Sequence, residues 1–185
     1  MRILFAGATG VLGRATLPHL GEHDVVGLTR SAERVPLLHE LGVEAVVCDV
    51  FDREALVRLA KRTHPALVVN FVTDLTSGSM AANNRVRREG GRNLADAAAE
   101  TSASRLAVES VAFTLENDAA EAAEELEQTA RAFPGEALIL RFGRLWGPDT
   151  FHESPPEPPA IHVREAGAEA ARLLTDAPAG TYVVS

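Results

Sequence analysis

The chain has 185 residues, of which 46% are hydrophobic and 24% are charged, a composition typical of one soluble globular domain with a sizeable core. Its formal net charge of −8 disfavours nucleic acid and anionic membranes as partners, because both would repel it at long range. The single cysteine, Cys48, excludes an internal disulfide, and no apolar run reaches the ~18 residues of a membrane span, so we expect a cytoplasmic protein.

Short apolar runs alternate with helical patterns along the chain, which is typical of a parallel sheet with crossover helices. Strands are predicted at Arg2–Ala6, Asp24–Leu28, Ala45–Cys48, Ala66–Phe71, Arg105–Glu109, Ala137–Arg141 and Thr181–Val184. Helices are predicted at Val11–Leu20, Ala32–Leu41, Arg53–Arg62, Met80–Glu100, Asp118–Phe133 and Arg164–Leu174. Pro18 should bend or shorten the first helix, and the proline-rich segment 154–159 is expected to be an extended surface connection. The pattern predicts a Rossmann-like, doubly wound α/β fold in a single domain over residues 1–185.

Three glycines follow the first strand with the spacing G-x-x-G-x-x-G. Glycines there permit a tight turn, close approach of the backbone to phosphates and close packing of helix on strand. Free N–H groups at the start of the next helix can then face a pyrophosphate. We assign to dinucleotide binding the residues of this turn, Gly7, Thr9, Gly10, Val11, Leu12, Gly13 and Arg14. A tight turn without a ligand is the alternative.

The second strand leads into Arg30, at the place where an adenosine ribose would lie. An acidic residue there would accept hydrogen bonds from a free 2′-hydroxyl, whereas an arginine suits a 2′-phosphate. NADP is therefore favoured over NAD, by roughly 10- to 150-fold for one charge-assisted contact, and Arg14 is placed to add to it. A solvated Arg30 is the alternative. Asp49 and Val50, after the third strand, are assigned to the adenine, with a plain strand-end turn as the other interpretation.

Taken together, these motifs resemble an extended or atypical short-chain dehydrogenase/reductase of the NAD-dependent epimerase/dehydratase group. The similar segments are the glycine turn, the Asp-x-x-Asp of residues 49–52, the long fourth helix over residues 84–94, and residues 108–110, 141–148 and 161–166. The resemblance implies that Phe71, Val72 and Thr73 line the cofactor. It also implies that Ser110 is catalytic and hydrogen-bonds the reacting oxygen.

The chain departs from this family where the Tyr-x-x-x-Lys catalytic pair should fall. Residues 116–121 read Glu-Asn-Asp-Ala-Ala-Glu, and the single tyrosine and single lysine, Tyr182 and Lys61, lie elsewhere. A missing general acid costs about 10²–10⁴ in rate. Glu116, Asp118 and Asp74 are candidate replacements, each with a solvated carboxylate as the alternative.

The substrate lobe is also reduced. Only residues 149–161 separate the Gly-Pro turn from His162, where the family usually has much of the substrate-covering lobe. The sequence also contains the motif H-x-x-E-H at residues 19–23. We do not interpret it as a metal site, because Gly21 is expected to end the helix between the two histidines. Arg85, Arg88 and Arg92, with Arg87 beside them, are interpreted as a solvated face or subunit contact rather than an anionic substrate site.

The predicted function is that of an NADP-binding oxidoreductase or epimerase-like enzyme acting on a small carbonyl or hydroxyl compound. Two alternatives remain open: a dinucleotide-binding sensor or partner subunit without turnover, and a non-redox isomerase or lyase on the same fold. The helices at 80–100 and 118–133 resemble those of the family's dimer interface, so a homodimer is expected.

Overall fold

The structure, a computed structural model, describes residues 1–75, 77–101 and 103–185. The strands are β1 (Arg2–Ala6), β2 (Asp24–Thr29), β3 (Glu44–Val47), β4 (Leu67–Asn70), β5 (Arg105–Val111), β6 (Glu136–Phe142), β7 (Arg144–Trp146), β8 (Ala160–His162) and β9 (Gly180–Val184). The α-helices are α1 (Val11–Thr16), α2 (Val35–Glu40), α3 (Arg53–Thr63), α4 (Met80–Arg85), α5 (Gly91–Ala99), α6 (Asn117–Arg131) and α7 (Val163–Asp176).

The main sheet has seven strands in the order β3-β2-β1-β4-β5-β6-β9, and every neighbouring pair is parallel. The chain moves outward in one direction through β2 and β3, and in the other direction from β4 onward. The strand order therefore reverses beside β1, and ligands of such sheets bind at the carboxyl ends of the strands at that point. The predicted doubly wound Rossmann-like fold is confirmed, and each predicted strand lies within two residues of its observed bounds.

Two apolar layers cover the two faces of the sheet, because alternate residues of each strand point to opposite sides. Ile3 and Phe5 of β1 face the layer that contains α1, α2 and α7. Leu4 and Ala6 face the layer that contains α3, α5 and α6. In β5, Ala107 belongs to the first layer and Leu106 to the second. This alternation fixes the direction of each side chain near the carboxyl edge.

Three predicted helices are not continuous α-helices, and one of them, Ala32–Leu41, begins as a 3-10 turn over Ala32–Arg34 before α2. α1 ends at Thr16 and continues as a 3-10 turn over Leu17–Leu20, which confirms the shortening expected from Pro18. The long fourth helix contains a π-helical turn, Val86–Gly90, between α4 and α5. Such single π turns are rare and often lie at functional sites.

The short parallel pair β7 and β8 was not predicted from the sequence. Gly143 permits it, because a Cβ there would lie only 2.9 Å from the Ala160 nitrogen. The proline-rich segment between these strands has no helix or strand, as predicted. Within the described part of the chain, no helix combines the length and apolar character needed to cross a membrane.

Candidate cofactor site and active site

The glycine turn joins β1, α1 and the end of β4 in close contact. Gly7 has φ +89°, and a Cβ there would lie 2.2 Å from the Phe71 carbonyl oxygen. A Cβ on Gly13 would lie 2.2 Å from the Gly7 carbonyl oxygen, which itself accepts a 2.9 Å hydrogen bond from the Gly10 amide. Neither Gly7 nor Gly13 therefore tolerates a side chain in this turn.

The beginning of α1 suits an anion. Gly10 is the N-cap residue, with extended backbone and no side chain to occupy the first N–H groups of the helix. These donors lie at the carboxyl edge of β1, where the strand order reverses, so the turn fits the pyrophosphate of a dinucleotide. Thr9 and Val11 are partly exposed there, whereas the Leu12 side chain is buried in the core and only its backbone is available.

Three arginines surround this turn. Nη1 of Arg14 lies 3.1 Å from Oδ2 of Asp149, and Nη1 of Arg34 donates across 3.5 Å to the Thr9 carbonyl. The third, Arg30, has a 68% exposed side chain at the end of β2. Sequence reasoning missed Arg34. Its position four residues after Arg30 is the feature of the sequence that indicates a second arginine beside the turn.

Arg30 faces a carboxylate on the other side of the cleft. Its Nη1 lies 3.8 Å from Oδ2 of Asp74, a side chain that is only 12% exposed. Oδ1 of Asp74 is buried and finds no hydrogen-bond partner among the described residues, and the Asp74 amide donates to Oδ1 of Asn83 at 2.9 Å. The Asp74 carboxylate therefore lies close to the position at which Arg30 would bind a 2′-phosphate.

Asp49 and Val50 are held by local hydrogen bonds. Oδ1 of Asp49 accepts the Phe51 amide at 2.9 Å, and Asp52 caps α3 by accepting the Ala55 amide at 2.9 Å. The Val50 carbonyl accepts a 2.9 Å hydrogen bond from Nδ2 of Asn93. The Asp49 carboxylate thus forms the strand-end turn that was the alternative interpretation, and contact with adenine stays a prediction.

The residues that follow β4 differ in what they offer a ligand. The Phe71 ring is buried edge-on against Phe5 and Phe142, with ring centroids 5.2 and 5.9 Å away, so only its backbone reaches the glycine turn. Val72 is partly buried and Thr73 is exposed. Of the three predicted cofactor contacts, Thr73 has the exposed side chain, whereas Val72 packs against the second apolar layer.

Ser110 belongs to a buried polar cluster. Its hydroxyl donates to Oε1 of Glu127 at 2.7 Å, and Glu127 also accepts from Nε of Arg141 at 2.8 Å and Nη2 of Arg131 at 2.6 Å. Burial opposes ionisation of Glu127, but the hydrogen bonds from Arg141 and Ser110 outweigh it and hold the pKa of that carboxyl below its usual range. The Ser110 hydroxyl therefore takes part in the hydrogen bonds that connect β5, α6 and β6. The catalytic assignment of Ser110 stays a prediction.

A second carboxyl at this edge, Glu109, was missed by sequence reasoning. It is partly buried near the end of β5, where burial raises its pKa to about 7 and the attraction of Arg87 opposes that rise. Arg87, on the π-helical turn, is 8% exposed, and its Nη1 has no hydrogen-bond partner among the described residues. Burial lowers the pKa of the Arg87 guanidinium, which the charge of Glu109 partly offsets. The signal in the sequence is a glutamate inside an otherwise apolar strand.

The other candidate acids are less well suited. Asp118 accepts hydrogen bonds from Arg88 and Asn84, each at 2.7 Å, and these lower the pKa of its carboxyl. Glu116 is exposed. Lys61 pairs with Glu100 at 3.4 Å and the Tyr182 hydroxyl donates to the Pro178 carbonyl at 2.8 Å, so neither replaces the absent pair.

Arg85 and Arg88, two members of the predicted arginine face, are paired on the helix surface. Arg88 lies 2.7 Å from carboxylate oxygens of both Asp118 and Glu125. Arg85 pairs with Glu89 at 2.7 Å and lies over the Phe51 ring. These contacts support the interpretation of a surface face for both residues, while the neighbouring Arg87 is buried.

Comparison with known proteins connects this geometry to a family. Residues 7–138 match the family described as NAD(P)H-binding. A curated relative, the 3-diazoavenalumate denitrifying reductase of a Streptomyces species, is 33% identical over 180 residues, with 81% of this chain and 58% of that protein covered. The chain thus spans somewhat more than half the length of that relative.

Solved structures share the fold at lower identity. WbmG of Bordetella bronchiseptica, solved in complex with NAD, superposes with a TM-score of 0.79 at 19% identity over 100% of this chain and 72% of that one. The UDP-glucose 4-epimerase of Thermus thermophilus, also solved with NAD, gives 0.78 at 18% identity over 100% and 78%. Because the family match covers most of the chain and includes the glycine turn, the protein belongs to the NAD(P)H-binding family and has the fold of the NAD-dependent epimerase/dehydratase group of short-chain dehydrogenases/reductases.

Proposed function

We propose that the protein is an NAD(P)H-dependent oxidoreductase, of reductase or epimerase-like type, acting on a small carbonyl or hydroxyl compound. The observation that carries this proposal is the glycine turn, whose bare helix start faces the point of strand reversal. Its relative named as a reductase supports the redox class. When bound, the nicotinamide ring would supply or accept the hydride.

The cofactor is proposed to be NADP, held by Arg30 at the 2′-phosphate and by the backbone of residues 7–13 at the pyrophosphate. Arg14 and Arg34 would add positive charge around the turn. Calorimetric titration with NADPH and NADH tests this assignment. Tighter binding of NADPH by about tenfold or more is the expected result. Equal affinity would remove the specificity assigned to Arg30, and no binding of either would overturn the proposed function.

Turnover is tested by following nicotinamide absorbance while NADPH is offered with an aromatic aldehyde and with 3-diazoavenalumate. We expect oxidation of NADPH that depends on the added substrate. A dinucleotide-binding sensor or partner subunit is the second candidate, favoured by the absent Tyr-x-x-x-Lys pair and by the short connection between β7 and β8. Tight NADPH binding without oxidation across a broader panel of carbonyl compounds would favour that candidate.

We also propose a homodimer formed through α4, α5 and α6, as the resemblance implies. Sedimentation velocity across a dilution series tests it. A species of twice the chain mass of 19.7 kDa is the expected result, and a monomer at all concentrations would contradict it.

A further inference from the structure

We propose that Glu109 is the acid–base group of this site, the residue that gives a proton to, or takes one from, the reacting oxygen of the substrate. This inference rests on the proposed oxidoreductase function. The chain has no tyrosine at the position where the family has its proton donor. Glu109, a carboxyl on β5, would carry out that proton transfer instead.

The position of Glu109 follows from strand register. Asn70 of β4 pairs with Val108 of β5, so Glu109 comes next to Phe71, the residue whose carbonyl contacts Gly7. Adjacent strands lie about 4.8 Å apart, so the Glu109 backbone lies one strand spacing from Phe71. The adenosine half of a dinucleotide would lie toward β2 and Arg30, so the nicotinamide half extends over β4 and β5.

The direction of Glu109 follows from alternation along β5. Ser110 points toward α6, where its hydroxyl bonds Glu127. Glu109 therefore points to the opposite face, which is the face of Ala107 and of α1, the helix that follows the glycine turn. Its partner on β6 is Leu140, and Phe71 lies on its other side. With apolar neighbours in both adjacent strands, the carboxyl gains little stabilisation of its charge from the sheet.

Arg87 is the charged residue whose attraction favours ionisation of Glu109. The two side chains form no ion pair within 4.0 Å, so the guanidinium attracts the carboxylate without fully offsetting its burial. Burial thus raises the pKa of Glu109 to about 7, which is the range that general acid–base catalysis favours near neutral pH. The unpartnered Nη1 of Arg87 leaves a buried donor available to an oxygen or anionic group of the substrate.

The proton balance of a reduction is then complete. When the bound reduced cofactor supplies a hydride to the carbonyl carbon, Glu109 would give its proton to the oxygen. The products would be an alcohol, the oxidised cofactor and a Glu109 carboxylate, which would regain a proton from water. In the oxidative direction the carboxylate takes the hydroxyl proton.

Infrared titration of the cofactor-free protein tests whether Glu109 holds this proton. The wild-type protein should show one carboxyl that titrates near neutrality, and Glu109→Gln should remove it. Glu54→Gln, an exposed carboxylate on α3, is the matched control and should leave it in place. Arg87→Met should raise the midpoint, because it removes the charge that favours the carboxylate. The proposal is overturned if the neutral-pH carboxyl persists in Glu109→Gln.

Proximity to the nicotinamide is tested by the protons released on binding. The oxidised ring is positively charged and the reduced ring is neutral, so only the oxidised cofactor should lower the pKa of a nearby carboxyl. Calorimetry at pH 7 in two buffers of different ionisation enthalpy should show release of up to about 0.5 proton with NADP⁺ and none with NADPH. Glu109→Gln should abolish the release, and Glu54→Gln should preserve it.

Different results would contradict the proposed oxidoreductase function and the acid–base role of Glu109. Equal proton release by wild type and Glu109→Gln would overturn the role of Glu109 while leaving cofactor binding intact. Failure of both cofactor forms to bind would overturn the proposed function and with it the catalytic role of Glu109, and the infrared titration would still decide whether this carboxyl holds its proton. With a turned-over substrate, Glu109→Gln should lower kcat by about 10²–10⁴ and remove one limb of its pH profile, with NADPH affinity unchanged.

Discussion

At the scale of single residues, two carboxyls in neighbouring positions of the fold have opposite electrostatics. Glu127 is buried and accepts hydrogen bonds from three residues, Ser110, Arg131 and Arg141, so its charged form is stabilised. Glu109 is partly buried and attracted by Arg87 without an ion pair, so burial prevails and its neutral form is stabilised. Neighbouring donors, more than burial alone, decide which carboxyl ionises.

Glu109 should make the folded state less stable as the pH rises. Its pKa is raised from 4.5 to about 7 on folding. Its contribution to the free energy of unfolding is therefore fully present below pH 4.5 and is lost as the pH rises through about 7. Glu109→Gln should remove this fall of about 3 kcal/mol in the free energy of unfolding. Urea unfolding of both proteins at pH 4.5 and pH 8 checks this, and parallel pH dependences would contradict it.

Asp74 should limit the affinity of the protein for a 2′-phosphate. Its carboxylate lies 3.8 Å from Arg30 and competes for the same guanidinium. Asp74→Asn should strengthen NADPH binding by about tenfold and leave NADH nearly unchanged, because only NADPH carries the extra charge. Arg30→Ala should do the reverse and weaken NADPH alone. The measurement is calorimetric, and equal effects on both cofactors would place the ribose elsewhere.

At the scale of elements, contacts between backbones at the carboxyl edge hold the site together. Gly7→Ala should destabilise the protein by about 1–3 kcal/mol or more, because the new Cβ would overlap the Phe71 carbonyl and the backbone has positive φ. Gly21→Ala is the matched control, with φ −60° and open space around it, and should be neutral or stabilising by up to about 1 kcal/mol. Thermal unfolding distinguishes them, and similar Tm values would contradict the packing described.

The cluster that joins β5, α6 and β6 makes a second prediction at this scale. Arg141→Met removes two hydrogen bonds from buried Glu127 and should cost about 1–3 kcal/mol at neutral pH. The cost should shrink as the pH falls through the lowered pKa of Glu127, because protonation removes its need for a cation. Arg172→Met, at an exposed pair with Glu169, should cost under about 1 kcal/mol at any pH. Equal costs for the two variants would argue against the buried cluster as a stabilising unit.

At the scale of the whole molecule, a cofactor that binds only the folded chain must stabilise it. At a concentration 100 times its Kd, NADPH should add about 2.7 kcal/mol, which raises the Tm of a domain of this size by roughly 5–10 °C. Arg30→Ala should lose about half or more of this shift for NADPH and keep the shift for NADH. Absence of any shift in the wild-type protein would contradict dinucleotide binding.

Local sequence patterns were sufficient for the sheet and the glycine turn. Strand periodicity predicted β1 at its observed bounds, and the spacing of Gly7, Gly10 and Gly13 predicted a turn that only glycine permits. Both features depend on residues that are close in sequence and on backbone sterics that act over a few bonds. The interruption of the first helix at Pro18 follows for the same reason.

The pairing of charged side chains was decided only by the tertiary structure. Helical spacing groups Arg85, Arg88 and Arg92 on one face, but the π-helical turn changes the phase and leaves Arg87 buried. No local signal shows that Arg30 meets Asp74, because 44 positions of chain separate them and contact depends on the sheet order.

By itself, therefore, the sequence determined the α/β fold, the place of the dinucleotide turn and the absence of the family's Tyr-x-x-x-Lys pair. The tertiary structure alone decided that Ser110 bonds Glu127, that Glu109 points to the opposite face of the sheet, and that the charge of Arg87 acts on Glu109. The physical reason is that a carboxyl's ionisation depends on the water and charges around it, and those are supplied by strands and helices far away in the chain.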